Sequence, residues 1–339
     1  MKAILLKNSG KVVVEEMSLP KLDSGDVLVE MSVCGLCGTD IEKLHGQYTA
    51  AAPVLGHEAV GLIAGVGQDV IGLKVGDRVF PHHHTPCRVC YYCKKGNETM
   101  CSKYRSSNLD PSGFAEYFRV PSWNIKQGGV LKIPKNVSFE EASLIEPVAC
   151  CLRGLSRARV SKGDTVLVVG AGPVGITHLQ LLRNIGAKVL VSDINKKRLS
   201  FAEGQGASAI YNALDDVSSK IRSDTSGVGV DISLVASGNP KAILQALKSV
   251  RKGGVVCLFG IPVVGSILDY DFSNVFNNEV SIVSSYGATE NETMSALNLI
   301  EKHNIDAKSL ISDRFNLDEF EEAVKTAEKG DCMKIIITP

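Results

Sequence analysis

Thr165-Val166-Leu167-Val168-Val169-Gly170-Ala171-Gly172-Pro173-Val174-Gly175 is the stretch whose reading decides the fold. An apolar, β-branched run leads directly into three glycines in G-x-G-x-x-G spacing, and a segment of helical period follows at 174–184. That strand, turn and helix order is the context the glycine pattern needs before it can be believed. Gly170 makes the tight turn, Gly172 admits a pyrophosphate, and Gly175 lets the helix pack closely on the strand. Pro173 and Val174 open the helix, whose free N–H groups and dipole favour an anion. Asp193 ends the next apolar run, 18 residues past Gly175, near the spacing of roughly 20 at which an acid binds the adenosine ribose. A carboxylate there accepts from ribose hydroxyls and repels a 2′-phosphate, so NAD is expected over NADP. Lys197 and Arg198 weaken that preference, and Arg198 joins the expected cofactor contacts.

Outward from this motif, apolar strands are expected near 165–169, 188–192, 208–211, 230–235, 255–259 and 280–285, with helical stretches such as 174–184 and 239–250 between them. Alternating β and α with nearly all-apolar strands predicts a parallel, doubly wound sheet, so the fold class is α/β. Residues 1–150 read differently. Short apolar runs at 3–6, 12–14, 27–33, 60–64 and 78–80 are broken by Gly, Pro and Asp, the rhythm of an irregular β domain. After about residue 290 the pattern becomes two helices, 292–302 and 317–329, and a strand at 334–338. The expected boundaries are therefore 1–150, 151–289 for the dinucleotide-binding domain, and a return segment at 290–339 that completes the first domain.

Composition supports two cores. The chain has 339 residues and is 44% hydrophobic, and single cores stop growing at roughly 250 to 300 residues. Lys plus Arg equals Asp plus Glu at 37 each, which leaves no net field to draw in nucleic acid or an acidic membrane surface. No window approaches the run of about 20 apolar residues that a membrane helix needs. The stretch from Met1 to Lys7 lacks the apolar core and cleavage site of a signal peptide, so a cytoplasmic location is expected. The ten cysteines are accordingly expected as thiols or metal ligands rather than disulfides.

Their clustering points to metal. Cys87, Cys90, Cys93 and Cys101 form C-x2-C-x2-C-x7-C, and four thiolates this close can close a tetrahedral shell around Zn²⁺ with no position left for chemistry. A bacterial ferredoxin cluster needs a gap of three and a following proline, neither of which is present. A second, dispersed set comprises Cys37 in Cys37-Gly38-Thr39-Asp40, His57 and Glu58 in Gly56-His57-Glu58, and Glu146 in Glu146-Pro147. Taken singly these read as a core thiol, a satisfied histidine and surface acids; a catalytic zinc would need three such ligands and an open fourth position.

Together these stretches, with Gly113-Phe114-Ala115-Glu116-Tyr117 and the Gly170 to Gly175 loop, resemble in type and order the zinc-dependent medium-chain alcohol, polyol, sugar and threonine dehydrogenases over essentially the whole chain. The resemblance implies a GroES-like β-rich catalytic domain carrying a structural zinc lobe at about 87–101, a Rossmann domain, and catalysis in the cleft between them. It implies two zinc ions per subunit. Cys37 and His57 would ligate the catalytic one, with Glu58 and Glu146 as acidic ligands or their supporting partners, the choice between them left open. Thr39 would start a proton relay from the substrate hydroxyl. Family members often finish it with a histidine five residues after the zinc cysteine; Glu42 stands there, which puts the exit path in doubt and makes His45 a substitute to consider.

The implied reaction is hydride transfer from a secondary hydroxyl of a polyol, sugar or sugar-acid substrate to NAD, with threonine 3-dehydrogenase-like or simple alcohol dehydrogenase activity as alternatives. A zinc-free quinone or enone reductase would have no use for the cysteine lobe or for Cys37, His57 and Glu58. A non-catalytic dinucleotide-binding protein would leave a complete ligand set unexplained. The partners expected are a small hydroxylated substrate and copies of the same chain, as a dimer or tetramer, because the run at 280–284 has the β-branched, uncharged character of a strand edge that can be paired. His82, His83 and His84 are expected to alternate across a strand and to serve packing, not metal binding.

Overall fold

The computed structural model describes residues 1–7, 12–46, 54–262 and 264–339. The chain divides into two compact units, one formed by Met1–Ala149 with Ala288–Pro339, the other by Cys150–Gly287.

In the second unit, six parallel strands lie side by side in the order Ala209–Asn212, Lys188–Asp193, Thr165–Val169, Val230–Val235, Val250–Leu258 and Ser281–Ser284. This is the third, second, first, fourth, fifth and sixth in chain order, the doubly wound arrangement whose order reverses beside the first strand. Leu167, Val169, Leu190, Val235 and Val256 pack with Tyr211, Ile221 and Leu247 as the core on one side of the sheet. The strand expected at 255–259 begins earlier, at Val250, because Val230 already pairs with Val250 across an irregularity in register. Pro173 sits at the first position of the helix Pro173–Ile185, where its fixed φ and missing N–H cost nothing.

In the first unit, Ile311–Asn316, Lys334–Thr338, Val27–Leu36, Glu58–Val66, Arg78–Pro81 and Val130–Lys132 are neighbours in that order in one sheet, and Tyr117–Val120 also pairs with Val27–Leu36. All pairs are antiparallel except Ile311–Asn316 with Lys334–Thr338. Val27, Val29, Met31, Phe114, Phe118, Phe320, Ile335 and Ile337 close its core. The sheet thus brings residues from the two ends of the sequence into register, with Cys34 opposite both Ala59 and Ile337. The helix expected at 317–329 starts as a tighter turn, Leu317–Glu319, before Phe320–Lys329 continues as α-helix. The strands at Tyr117–Val120 and Val130–Lys132 are too short, and Ile311–Asn316 too polar, to stand out in the sequence.

Candidate functional site

Cys37 caps the short helix Gly38–Leu44, while His57 and Glu58 stand where the strand Glu58–Val66 begins. One ligand atom from each of Cys37, His57 and Glu58 lies within 4.8 Å of the other two, close enough for one ion. Asp40 is the hub beneath them. Fully buried, it accepts from the Cys37 amide at 3.1 Å and the Gly56 amide at 3.0 Å, and its Oδ1 lies 3.5 Å from His57 Nδ1. A carboxylate on Nδ1 fixes the imidazole so that Nε2 is the nitrogen left for a metal. Burial alone would push the His57 imidazole down, yet the Asp40 carboxylate and Cys37 sulfur hold it well above the usual histidine range.

Glu58 is paired from behind. Lys334 Nζ donates to both its oxygens, at 2.7 and 2.8 Å, and to the Leu36 carbonyl. Burial pushes the Glu58 carboxyl up, Lys334 opposes this, and Glu58 in turn keeps the buried Lys334 charged. The close approach is possible because residue 35 is glycine: a Cβ there would stand 1.9 Å from Glu58 Oε2. Glu146, buried in the first turn of Ile145–Ala158, lies outside the Cys37–His57–Glu58 trio but near enough to act electrostatically on Glu58, Lys43 and Lys334. Thr39 is half-buried on the Cys37 helix. Among the described residues Glu42 Oε2 has no hydrogen-bond partner and is sealed from solvent, whereas His45 is exposed and bonded to Glu328 at 2.7 Å. The 45–53 loop is expected from the sequence to offer side chains to the substrate; its residues 47–53 lie outside the described residues.

The histidine run departs from expectation. The strand Arg78–Pro81 ends before it, so its rings do not alternate across a sheet but pack edge-on and tilted against one another. Ring centroids are 5.4 Å apart for His82 and His83, 4.0 Å for His83 and His84, and 5.1 Å for His83 and the ligand candidate His57.

Cys87, Cys90, Cys93 and Cys101 converge within 4.8 Å on a loop reinforced by backbone amides: Cys87 N donates to Cys101 Sγ and Cys90 N to Cys87 Sγ. Amides of Val89 and Cys90 hold the Cys87 thiol down to about 6, the thiolate form a metal takes. Both sets therefore fit zinc, one closed by four sulfurs, the other with three mixed ligands.

In the second unit the glycine loop packs its helix closely onto the strand. A Cβ on Gly175 would lie 1.9 Å from the Gly170 carbonyl, so the helix can meet the strand only through glycine. Asp193 Oδ2 accepts from the Ala171 amide at 2.6 Å and Oδ1 from Asn195 N at 2.7 Å, tying the acid to the loop. The Asn195 side chain caps the next helix by accepting from the amides of Lys197 and Arg198, and the Arg198 guanidinium reaches back to stand 3.5 Å from where a Cβ on Gly172 would be. That leaves an uncluttered loop flanked by one acid and one cation, a cradle for a dinucleotide phosphate.

Sequence reasoning missed Asp40 and Lys334. Asp40 was present in the Cys37-Gly38-Thr39-Asp40 stretch, and a carboxylate three residues past a ligand was the available signal. Lys334, 276 residues from its partner, offered none.

Residues 23–135 match the family described as alcohol dehydrogenase GroES-like domain, and residues 173–302 match zinc-binding dehydrogenase. The chain is 31% identical to a sorbitol dehydrogenase of Bacillus subtilis, covering 100% of this chain and 97% of the relative. It is also 31% identical to an L-threonine 3-dehydrogenase of Chromobacterium violaceum, covering 99% of each. A protein from Sinorhizobium meliloti 1021, described as a zinc-binding dehydrogenase and bound to NADP, superposes with a TM-score of 0.91 at 28% identity, covering 100% of this chain and 99% of that one. The chain belongs to the zinc-dependent medium-chain dehydrogenase family, with a GroES-like domain and a Rossmann domain. It is thus an alcohol-type oxidoreductase of a family that uses zinc and a nicotinamide dinucleotide. Among the described residues, no helix is long and apolar enough to cross a membrane.

Proposed function

We propose that the enzyme oxidises a secondary hydroxyl of a small polyhydroxylated substrate, of the polyol, sugar or sugar-acid type, with NAD as hydride acceptor. The observation that carries this reading is the meeting of Cys37, His57 and Glu58 within 4.8 Å, supported from behind by Asp40 and Lys334. A zinc ion in that trio supplies Lewis acidity toward the substrate hydroxyl, and the nicotinamide supplies the hydride acceptor. The protein's part is positional and electrostatic. Asp40 fixes the His57 ring, Lys334 balances Glu58, and Glu146 adds negative charge beside them. Thr39 Oγ1, two residues past Cys37, would start a relay, taking the hydroxyl proton while handing its own on toward solvent. Cys87, Cys90, Cys93 and Cys101 hold a second, structural zinc.

NAD is favoured over NADP because Asp193 is anchored to the loop with acceptor capacity remaining for ribose hydroxyls, and a 2′-phosphate would meet its charge. Gly170, Gly172, Pro173, Val174 and Gly175 would line the pyrophosphate, with Arg198 alongside. A homo-oligomer in the cytoplasm completes the reading. Phe276 is 84% and Ile267 88% exposed near the edge strand Ser281–Ser284, an apolar surface suited to a second copy of the chain.

The test is zinc per subunit by elemental analysis together with NAD⁺ and NADP⁺ reduction over polyols, aldoses, sugar acids, threonine and monohydric alcohols. Two zincs and NAD-linked turnover on a polyhydroxylated class are expected; one zinc without turnover would overturn the catalytic assignment of Cys37 and His57. Threonine as best substrate would replace the substrate class and keep the site.

A further inference from the structure

The four-cysteine loop and the Cys37–His57–Glu58 trio both belong to the first unit, and the histidine run makes contacts with each. On the trio side, the His83 ring meets the His57 ring with centroids 5.1 Å apart. On the loop side, the run is held by residues that flank the cysteines. His84 packs on Tyr104 with ring centroids 5.1 Å apart, and its Nδ1 bonds the Ser107 carbonyl at 2.6 Å. The Thr85 amide donates to Ser107 Oγ at 2.9 Å, so the segments that enter and leave the loop are bonded together at its base.

One residue reaches from the cysteine cluster to the run. The Arg88 amide donates to the Cys93 sulfur, and the Arg88 backbone takes a left-handed conformation, φ 60°, that few residues other than glycine adopt. Its guanidinium donates to Glu290 Oε2 at 2.6 Å, and Glu290 Oε1 lies 3.4 Å from His82 Nδ1. Glu290 is 5% exposed and His82 fully buried, so one carboxylate is shared between a cation and an imidazole where water barely enters. Arg88 is half-exposed, so truncating it strands the Glu290 charge without emptying a core. A strained backbone and a buried, shared carboxylate are both costly, and both hold the loop against the histidine run.

We propose that Arg88 and Glu290 are positioning residues that fasten the four-cysteine loop to the histidine run backing His57, so that a metal in the loop raises the affinity of the trio for its own ion. The trio's part in this rests on the dehydrogenase reading above; the fastening of the run does not. A metal-filled loop keeps its four sulfurs together and an empty one leaves them free to part. Those are the two states that the link passes on, and the coupling is reciprocal.

The experiment keeps the loop zinc-loaded, checked by elemental analysis, and measures Co²⁺ affinity of the trio by chelator competition in the wild type, Arg88→Gln, Glu290→Gln and Arg88→Lys. Affinity is expected to fall about 5- to 50-fold in Arg88→Gln and in Glu290→Gln, no further in the double variant than in the worse single, and to recover in part in Arg88→Lys. A pair kept only for stability lowers the unfolding midpoint and leaves the affinity unchanged, and that outcome overturns the proposal. Hydrogen exchange of the 82–85 backbone tests the link without the trio, with the strand Thr165–Val169 of the other unit as reference. Exchange at 82–85 should quicken when a strong chelator empties the loop of protein whose trio is already empty, and should already be quick in loaded Arg88→Gln. Equal exchange in loaded and emptied wild type also overturns the proposal. If exchange responds as expected but the wild-type trio takes up no Co²⁺, the dehydrogenase reading fails and the fastening of the run is supported.

Discussion

Lys334 and Glu58 form an ion pair that water barely reaches: the lysine side chain is 5% exposed, the glutamate 0%, and one ammonium serves both carboxylate oxygens. Removing one partner leaves the other charge buried and uncompensated, which costs about 3–5 kcal/mol. Lys334→Met is therefore expected to lower the unfolding free energy by about that amount, measured by denaturant titration of the zinc-free protein, and Lys334→Arg by less. A loss within the scatter of a surface substitution would show that the pair is solvated in solution.

Gly35 sets how near Glu58 can come to Cys37 and His57. A Cβ would stand 1.9 Å from Oε2 and 3.0 Å from Cδ, so Gly35→Ala must displace the carboxylate. The four-cysteine loop is untouched by this change. Elemental analysis is expected to fall from two zincs per subunit toward one, with turnover lost and the fold retained by circular dichroism. Full zinc content with normal activity would mean that Glu58 is dispensable to the ion.

Asp193 is expected to decide between the two nicotinamide cofactors. Asp193→Gly removes the ribose acceptor and the negative charge while leaving Arg198 beside the glycine loop. kcat/KM with NAD⁺ should drop roughly 10- to 100-fold, with the NADP⁺ to NAD⁺ ratio rising. An unchanged ratio would place cofactor choice elsewhere.

His178 supplies a pH signature independent of metal. Burial lowers its imidazole from 6.5 to about 4, against the single opposing contact from Nδ1 to the Val174 carbonyl. The unfolded chain therefore binds a proton between pH 6.5 and 4 that the folded chain refuses, so its contribution is present above the unfolded value and is lost as pH falls through that window. The magnitude is on the order of 3 kcal/mol. His83 and His84 are also held low by burial, so the test is a difference: His178→Leu should flatten the wild-type stability slope between pH 6.5 and 4. Parallel slopes in the two proteins would show that the ring is hydrated.

What could be read from the sequence was what lies close together along it. The glycine loop with Asp193 and the four cysteines each fit within about one supersecondary unit, so spacing alone carries their geometry. Cys37, His57 and Glu58 are farther apart, and their residue types became informative only through family resemblance. The support behind them was not legible, because antiparallel pairing sets Leu36 opposite Ile335, and nothing local to Lys334 signals a buried cation. The histidines at 82–84 pack together, and only their expected alternation fails, for the converse reason. Period-two alternation holds only while a strand continues, and this strand stops at Pro81.

The order in which the chain leaves the ribosome gives the Lys334 pairing another meaning. Cys37, His57 and Glu58 emerge early, but the cation that neutralises Glu58 follows only after the whole nucleotide-binding unit, Cys150–Gly287, has been made. Until then the first unit lacks two strands of its sheet and holds an unmatched acid at its centre. Domains generally fold as units during synthesis, so here the dinucleotide-binding unit can be complete while the ligand trio is still unfinished. On the proposed reading, an ion held by the trio would be secured at the end of the protein's maturation rather than serve as a nucleus for it.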